Sequence, residues 1–290
     1  MAIQIQMPAG NTILQDSTLQ HQLSNDGFTK LPTIPAYILN ELKLLYQKYH
    51  PSVPTGPIPG FYVSVHSPDL AYKLAIQQGI KDILTEYLQQ VLINYQCFIS
   101  AFQVKDAKHV SALGIHQDWN AVDENKFASY GIWIPLVDVG PTNGAIYFLK
   151  GSHRIRPTYR HMNLPSIYSE VTEHINALLQ PVFAKEGEPL MFNQSILHYS
   201  PNNLSGEIRP TALCTITNKE AVPTIYFPNS SNPRYLTVYE VQPDYLQYYN
   251  SFFEDAKKLP ASAKPSTTAS FEYDFTPLTT NQFIKLVNSL

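Results

Sequence analysis

Cysteine is scarce in this chain, and its charged residues are few and nearly balanced in sign. The two cysteines, Cys97 and Cys214, lie far apart and form no CxxC pair, so we expect buried free thiols in a reducing compartment. Charged residues make up 15% of the sequence, and the formal net charge is −3. No basic cluster is interleaved with aromatic residues. Such a composition creates no field that attracts nucleic acid or an anionic membrane, and neither is expected as a partner.

Long hydrophobic runs are also lacking. Nowhere are there 18 consecutive apolar residues, and the N-terminus has no basic region followed by an apolar stretch. The sequence therefore predicts neither a membrane span nor a secretory signal. We expect a cytoplasmic protein whose partner is a small molecule.

Proline and tyrosine, in contrast, are abundant, with 23 and 19 residues among 290. Together with many Thr and Asn residues they favour strands and turns over a helical bundle. A chain of this length can bury about three quarters of its unfolded surface. We expect one domain over residues 1–290, made of a loose arm (1–25), N-terminal helices and a short strand (26–94), a β core (95–220) and a C-terminal cap or lid (221–290).

Helical spacing of apolar residues is found mainly before residue 94. The stretch "TIPAYILNELKLLYQKYH" predicts an amphipathic helix with Thr33 as its N-cap. Ser67 followed by Pro68 predicts the start of one or two further helices that end near Ile93. One more helix is predicted from about Ser166 to Leu179.

From Tyr95 onward, apolar and polar residues alternate, which is the pattern typical of β-strands. Short alternating segments bounded by turn residues predict an antiparallel sandwich or barrel rather than a parallel doubly wound sheet. These segments are "CFISAFQV", "GIWIPLVDV", "AIYFLKG", "PLMFNQ", "SILHYS" and "RPTALCTITN".

A candidate metal site lies in this β region. His116 and Asp118 stand two apart in "GIHQDWN", so on a strand both side chains point to the same face. His198 lies near the end of the candidate strand "SILHYS". Two imidazoles and one carboxylate that leave part of the metal open are the ligand set of non-haem Fe(II) oxygenases. Arg209, eleven residues after His198, could bind the distal carboxylate of a dicarboxylic acid through two parallel hydrogen bonds.

Three segments carry a resemblance to a known family. "GIHQDWN", "IWIPLVDVGPTNGAIYFLKGSH" and "SILHYSPNNLSGEIRPTAL" resemble the phytanoyl-CoA dioxygenase-like family of Fe(II)/2-oxoglutarate oxygenases, over roughly residues 60 to 220. Many relatives have a proline before the "GSH" where this chain has Lys150, which alters a structural turn only. The tail beyond about residue 225 matches nothing in the family pattern.

The resemblance implies a mainly β protein with flanking helices, built on a double-stranded β-helix, or jelly-roll, core. It implies Fe(II) as the cofactor and 2-oxoglutarate and O₂ as co-substrates. The implied iron ligands are His116, Asp118 and His198. Arg209 and Ser200 would hold the distal carboxylate of 2-oxoglutarate, and Gln103 would also contact this co-substrate.

The resemblance also implies a reaction. Related halogenases have a small residue in place of the carboxylate ligand, so Asp118 favours a hydroxylase over a halogenase. The expected reaction oxidises an unactivated C–H bond of a small organic molecule while 2-oxoglutarate is decarboxylated to succinate and CO₂. The same chemistry also serves desaturation, epoxidation and ring formation, and the geometry of the pocket decides among them.

Four further residues are candidates for the substrate pocket: Tyr62, Trp119, Asn120 and Trp133. Against this interpretation, aromatic residues on strands belong to the core more often than to a pocket. His153 in "GSH" is interpreted as a histidine that stabilises a turn by a hydrogen bond, not as a ligand.

Two alternatives to an enzyme remain open at this point. One is a non-catalytic, cupin-like protein that binds a metal or a small acid without turnover. The other is a structural or interaction module, in which the spacing of His116, Asp118, His198 and Arg209 would be accidental.

Overall fold

Two antiparallel sheets pack face to face in the middle of the chain. The computed structural model describes residues 3–6, 12–50, 58–107, 110–229, 231–232, 234–266 and 270–290. The larger sheet has six strands, in the order β2-β10-β6-β12-β4-β3. Their bounds are β2 Phe28–Lys30, β3 Phe61–Val63, β4 Tyr95–Lys105, β6 Ser129–Pro135, β10 Leu190–Asn193 and β12 Arg209–Asn218.

The smaller sheet has four strands, in the order β5-β11-β7-β9. They are β5 Leu113–His116, β7 Ile146–Phe148, β9 Gln180–Val182 and β11 His198–Ser200. Apolar side chains of both sheets meet in one cluster, in which Trp133 and Phe192 of the larger sheet pack with Ile146 and Phe148 of the smaller. This arrangement confirms the predicted jelly roll, and all six predicted strand segments contribute to the two facing sheets. They are "CFISAFQV", "GIWIPLVDV", "AIYFLKG", "PLMFNQ", "SILHYS" and "RPTALCTITN".

Helices cover the outer face of the larger sheet. They are α1 Ser17–Asp26, α2 Ala36–Tyr49 and α3 Leu70–Val91. Leu42 of α2 and Ile80 of α3 are fully buried in the same cluster as Phe102 and Ile132 of the sheet. Because side chains alternate along a strand, Phe102 faces the helices and its neighbour Gln103 faces the space between the sheets. Within the described residues, no helix has both the length and the apolar character needed to cross a membrane.

The helix boundaries correct several predictions. Part of the segment expected to be a loose arm is α1, because the Asp16 carboxylate accepts hydrogen bonds from the backbone N–H groups of Thr18 and Leu19 at 2.7 and 3.0 Å. Pro35, not Thr33, precedes the first turn of α2. Asp69, not Ser67, caps α3 and accepts from the N–H of Tyr72. In each case a polar or proline residue nearer to the helix satisfies or removes the first free N–H groups.

The C-terminal region forms its own small sheet against the outer side of the smaller sheet. Its strands are β13 Thr224–Pro228, β14 Tyr235–Glu240, β15 Lys264–Pro265 and β16 Phe271–Glu272, and α5 Phe252–Asp255 and α6 Thr280–Val287 accompany them. α4 Thr172–Leu178 begins later than the predicted start near Ser166. Ile175 of α4 and Phe283 of α6 are fully buried with Leu197 of the jelly roll. Residues 267–269 of the predicted C-terminal cap lie outside the described residues. A short pair, β1 Gln4–Ile5 and β8 Ile155–Arg156, completes the strands described.

Candidate metal centre

The structure brings His116, Asp118 and His198 together between the two sheets. His116 ends β5 and is the direct cross-strand partner of His198, which begins β11. Asp118 follows in the loop after β5, where its backbone N–H donates to the Gln194 carbonyl at 2.9 Å. The ligand atoms of the three side chains all lie within 4.8 Å of one another. We refer to these three residues as the triad.

The imidazoles of the triad present their Nε2 atoms to the carboxylate. His116 Nε2 lies 3.8 Å from Asp118 Oδ1, and His198 Nε2 lies 3.9 Å from the same oxygen. The Nδ1 atoms are held by backbone carbonyls, at 2.7 Å from Gly114 O and 3.0 Å from Ile196 O. A carbonyl can only accept, so each Nδ1 carries the proton and each Nε2 keeps its lone pair. Both rings are therefore oriented and in the tautomer that binds a metal.

The charge state of the triad also suits a metal. Burial, with a smaller effect of nearby His116, lowers the pKa of His198 to about 4, so this imidazole is neutral at pH 7. Two neutral nitrogens and one carboxylate oxygen on one side of a metal are the donor set of non-haem Fe(II) centres. The residues present thus fit a ferrous ion.

A buried ion network that sequence reasoning missed holds Asp118 in place. Arg160 Nε donates to the backbone carbonyl of Asp118 at 2.7 Å, while its Nη1 donates to Glu124 Oε2 at 2.9 Å. Arg156 also contacts Glu124, with 3.7 Å between Nη1 and Oε2. Burial alone would raise the pKa of Glu124, but the two guanidinium groups hold it below its usual value. Glu124 is therefore ionised. Its negative charge balances the guanidinium of Arg160, which holds the loop that carries Asp118.

Arg209 lies in the same cavity as the triad and has no such partner among the described residues. Its side chain is buried, at 2% exposure, and its Nε atom forms no hydrogen bond within that part of the chain. Nη1 lies 3.5 Å from Thr211 Oγ1, and the guanidinium lies 5.3 Å from the centre of the Trp133 ring. Burial lowers its pKa to about 9. A buried guanidinium without an anion is costly, so these residues fit a bound carboxylate such as that of 2-oxoglutarate.

The cavity between the sheets is small, with a volume of about 70 Å³. The predicted co-substrate residues Gln103, Ser200 and Arg209 all line it together with the triad. Ser200 Oγ donates to the Gly144 carbonyl at 2.9 Å, so its hydroxyl would have to rotate to donate to a bound carboxylate.

Lys105 is a second buried basic residue that sequence reasoning missed in this cavity. Its Nζ donates to the carbonyls of Ser111, Ser200 and Pro201 at 2.6, 3.0 and 2.5 Å. Burial, and then the charge of Arg209, lower its pKa to about 6. The signal was present in the alternation of β4, since Lys105 stands two residues after Gln103 and shares its face.

Among the four predicted pocket residues, only the two tryptophans line a cavity beside the triad. Trp133 lines the cavity below Arg209, and Trp119 stacks on Phe252 of α5 with ring centres 5.6 Å apart. Asn120 is buried in the ion network, where its Oδ1 accepts from the Arg160 N–H at 2.6 Å.

Tyr62 is on the other side of the larger sheet. Its hydroxyl donates to Tyr72 of α3 at 2.7 Å, whereas its neighbour Phe61 lines the cavity. The structure thus corrects the expectation for Tyr62, because the alternation of side chains along β3 turns it to the helices. His153, interpreted as a non-ligand, contacts the Ser24 carbonyl through Nε2 at 3.0 Å.

A jelly roll that holds two histidines and one carboxylate at an open position defines the class of non-haem iron oxygenases. The family model of phytanoyl-CoA dioxygenase (PhyH) matches residues 61–211, more than half of the chain. The chain belongs to this family, as the resemblance implied, and its cofactor and co-substrates are Fe(II), 2-oxoglutarate and O₂.

Several solved structures are similar to this chain, and EctD shows the same fold. EctD from S. alaskensis, in its apoform, is similar over 74% of this chain and 83% of that chain, with a TM-score of 0.50 and 14% identity. AviO1 from Streptomyces viridochromogenes Tue57 is similar over 73% and 99%, with a TM-score of 0.49 and 17% identity. HygX from Streptomyces hygroscopicus, with nickel and 2-oxoglutarate bound, is similar over 69% and 86%, with a TM-score of 0.48 and 14% identity. No curated protein matches the chain significantly.

Proposed function

We propose that this oxygenase hydroxylates an unactivated C–H bond of a small organic molecule. In the balanced reaction, R–H, O₂ and 2-oxoglutarate give R–OH, succinate and CO₂. His116, Asp118 and His198 hold the Fe(II). The observation that carries the proposal is that one cavity holds both a triad in its metal-binding tautomers and a buried arginine that has no anionic partner among the described residues.

In this proposal Arg209 binds the distal carboxylate of 2-oxoglutarate. Its planar guanidinium matches a carboxylate, and the ring of Trp133 supports it from one side at 5.3 Å. Gln103 and Ser200 line the same cavity and supply polar groups for the co-substrate. The bound iron supplies the oxidising chemistry, and the side chains of this chain orient the co-substrate and the substrate around it.

Asp118 supports hydroxylation over halogenation. Its carboxylate oxygen lies within 4 Å of both Nε2 atoms, so it fills the position that a halide would need on the metal. The loop carrying Asp118 is fixed by Gln194 and Arg160. This keeps the carboxylate beside the two imidazoles before any metal binds.

The test is succinate formation from 2-oxoglutarate by anaerobically reconstituted Fe(II) protein, before and after the addition of O₂, with a panel of candidate substrates. We expect succinate that requires iron and O₂ in the wild type, and its loss in His116→Ala. His21→Ala is the matched control, because His21 is an exposed histidine of α1. Hydroxylation is read from product mass, as an increase by one oxygen atom.

Two results would contradict the proposal. If the wild type binds iron but makes no more succinate than His116→Ala, the chain binds without turnover. If succinate forms but the product has lost two hydrogens or gained a ring, the iron and co-substrate assignments stand and the hydroxylation proposal fails.

A further inference from the structure

A second cavity adjoins the triad and shares His116 with the first one. Its volume is about 240 Å³, less than that of sites for drug-sized ligands. It lies beside the end of β5, next to Trp119, and continues past segment 158–161 to α4. Most of its wall is apolar, and the aliphatic residues in it are Ile115, Leu164, Ile167, Ile175 and Leu197.

Two polar side chains in this wall have an atom without a partner. His161 Nε2 and Tyr168 OH are buried and form no hydrogen bond within the described residues, and the two residues are only 5% and 4% exposed. The N–H of Asn163 donates to His161 Nδ1 at 3.5 Å, so the proton of this imidazole is on Nε2. Both residues line the cavity, so a small rotation of each side chain would present a hydrogen-bond donor to a ligand. Buried donors without acceptors cost free energy, and a ligand that supplies acceptors removes this cost.

The cavity carries no free charge among the described residues that line it. The one charged side chain there is that of Arg160, and Glu124 binds both of its terminal nitrogens. Burial lowers the pKa of His161 to about 4, so this imidazole is neutral at pH 7. A phosphate-bearing carrier or a free carboxylate would find no unpaired cation in this wall, and an ammonium group would find no carboxylate.

We propose that this cavity binds the substrate through His161 Nε2–H and Tyr168 O–H, and that the substrate is an uncharged, mainly apolar molecule with one or two oxygen acceptors. This inference rests on the proposed function, because the ligand is a substrate only if the chain is an oxygenase. Binding in the cavity can be measured without turnover. Carbonyl, ether and hydroxyl oxygens are the acceptors that match these donors.

Binding is tested with three probes of similar size, measured by equilibrium dialysis on the full chain loaded anaerobically with Fe(II) and saturating 2-oxoglutarate. Acetophenone carries a neutral acceptor, ethylbenzene has none, and benzoate is an anion. We expect acetophenone to bind about 3- to 10-fold more tightly than ethylbenzene, as one or two neutral hydrogen bonds allow, and benzoate to bind more weakly than acetophenone. Equal binding of acetophenone and ethylbenzene, or tighter binding of benzoate, overturns the proposal.

Tyr168→Phe locates the site. This variant removes an unpartnered hydroxyl, so we expect an unfolding temperature that is not lowered and a weaker preference for acetophenone, because His161 remains as the second donor. The control Tyr87→Phe removes a hydroxyl that donates to the Pro32 carbonyl at 2.6 Å, far from the cavity. It should lower the unfolding temperature and keep the full preference. An undiminished preference in Tyr168→Phe overturns the assignment of the site.

The two proposals fail in different ways. If the wild type prefers acetophenone but makes no succinate with any substrate, the cavity assignment stands and the proposed function fails. If succinate forms but the three probes bind equally, the proposed function stands and the neutral substrate site is wrong.

Discussion

Two arginines are buried beside the metal centre, and they differ in what surrounds their charge. Arg160 is paired with the Glu124 carboxylate and also donates to Thr158 and to the Asp118 carbonyl. The Nε atom of Arg209 has no partner in the part of the chain that the structure describes, and its guanidinium lies over the face of Trp133. Both are nearly inaccessible to solvent, at 9% and 2% exposure.

The comparison distinguishes two uses of a buried charge: Arg160 stabilises the fold, whereas Arg209 is available to bind an anionic ligand. A paired buried arginine fixes the loop that carries Asp118, and its loss would leave Glu124 short of a partner. An unpaired buried arginine destabilises the protein alone and gains an anion only when the co-substrate binds. Replacing the two arginines should therefore change different quantities. Loss of the Arg160 network should lower the stability of the fold, whereas loss of Arg209 should lower the affinity for 2-oxoglutarate.

The largest effect is expected from Glu124→Gln, which keeps the shape but removes the charge between Arg156 and Arg160. Breaking a buried ion pair by removal of one partner costs about 3–5 kcal/mol, and we expect the free energy of unfolding to fall by that amount in denaturant titrations. Glu186→Gln is the control, because its pair with Lys43 is half-exposed and should contribute about 1 kcal/mol or less. Equal losses in the two variants would mean that the buried network is not structural.

The next effect is expected from Arg209→Met. With the guanidinium gone, the KM for 2-oxoglutarate should rise about 100-fold, equivalent to about 2.7 kcal/mol, as measured by initial rates of succinate formation. The unfolding temperature of the iron-free protein should stay the same or rise, because an unpaired buried charge is removed. Arg160→Met should instead lower the unfolding temperature. A large drop in that temperature for Arg209→Met would show that Arg209 has a structural partner.

A smaller effect is the acid sensitivity that Glu124 confers. Its pKa is held below the usual value in the folded protein, so it contributes stability that is fully present above its unfolded pKa, near 4.5. This contribution is lost as the pH falls through the folded pKa. We expect the stability gap between wild type and Glu124→Gln to be constant from pH 7 to 5.5 and to narrow below about pH 4.5. A gap that widens in acid would contradict the sign of the shift.

The triad was predictable because its signal is local. His116 and Asp118 stand two apart at the end of a strand, and the strand pattern around His198 placed it in the same β region. The proposed co-substrate residues Arg209 and Gln103 followed from the resemblance, and the alternation of β12 and β4 agrees with their position in the cavity.

The ion network was not predictable in the same way, because it forms between loops. Glu124 and Arg160 are 36 residues apart, and neither belongs to a periodic segment, so only the fold brings them together. The stacking of Trp119 on Phe252 depends likewise on the packing of the C-terminal region. Helix α1 was missed because it buries only Leu23 and therefore has almost no hydrophobic periodicity.

The smallest effect, and the sharpest test of the unpaired arginine, is Arg209→Lys. A lysine keeps the positive charge but offers a point charge in place of a planar fork that binds both carboxylate oxygens. We expect the KM for 2-oxoglutarate to rise about tenfold, or about 1.4 kcal/mol, between the values of wild type and Arg209→Met. Arg234→Lys, at an exposed position, is the control and should leave the KM unchanged. If Arg209→Lys binds 2-oxoglutarate as tightly as the wild type, charge alone holds the co-substrate, and two-point recognition by the guanidinium is wrong.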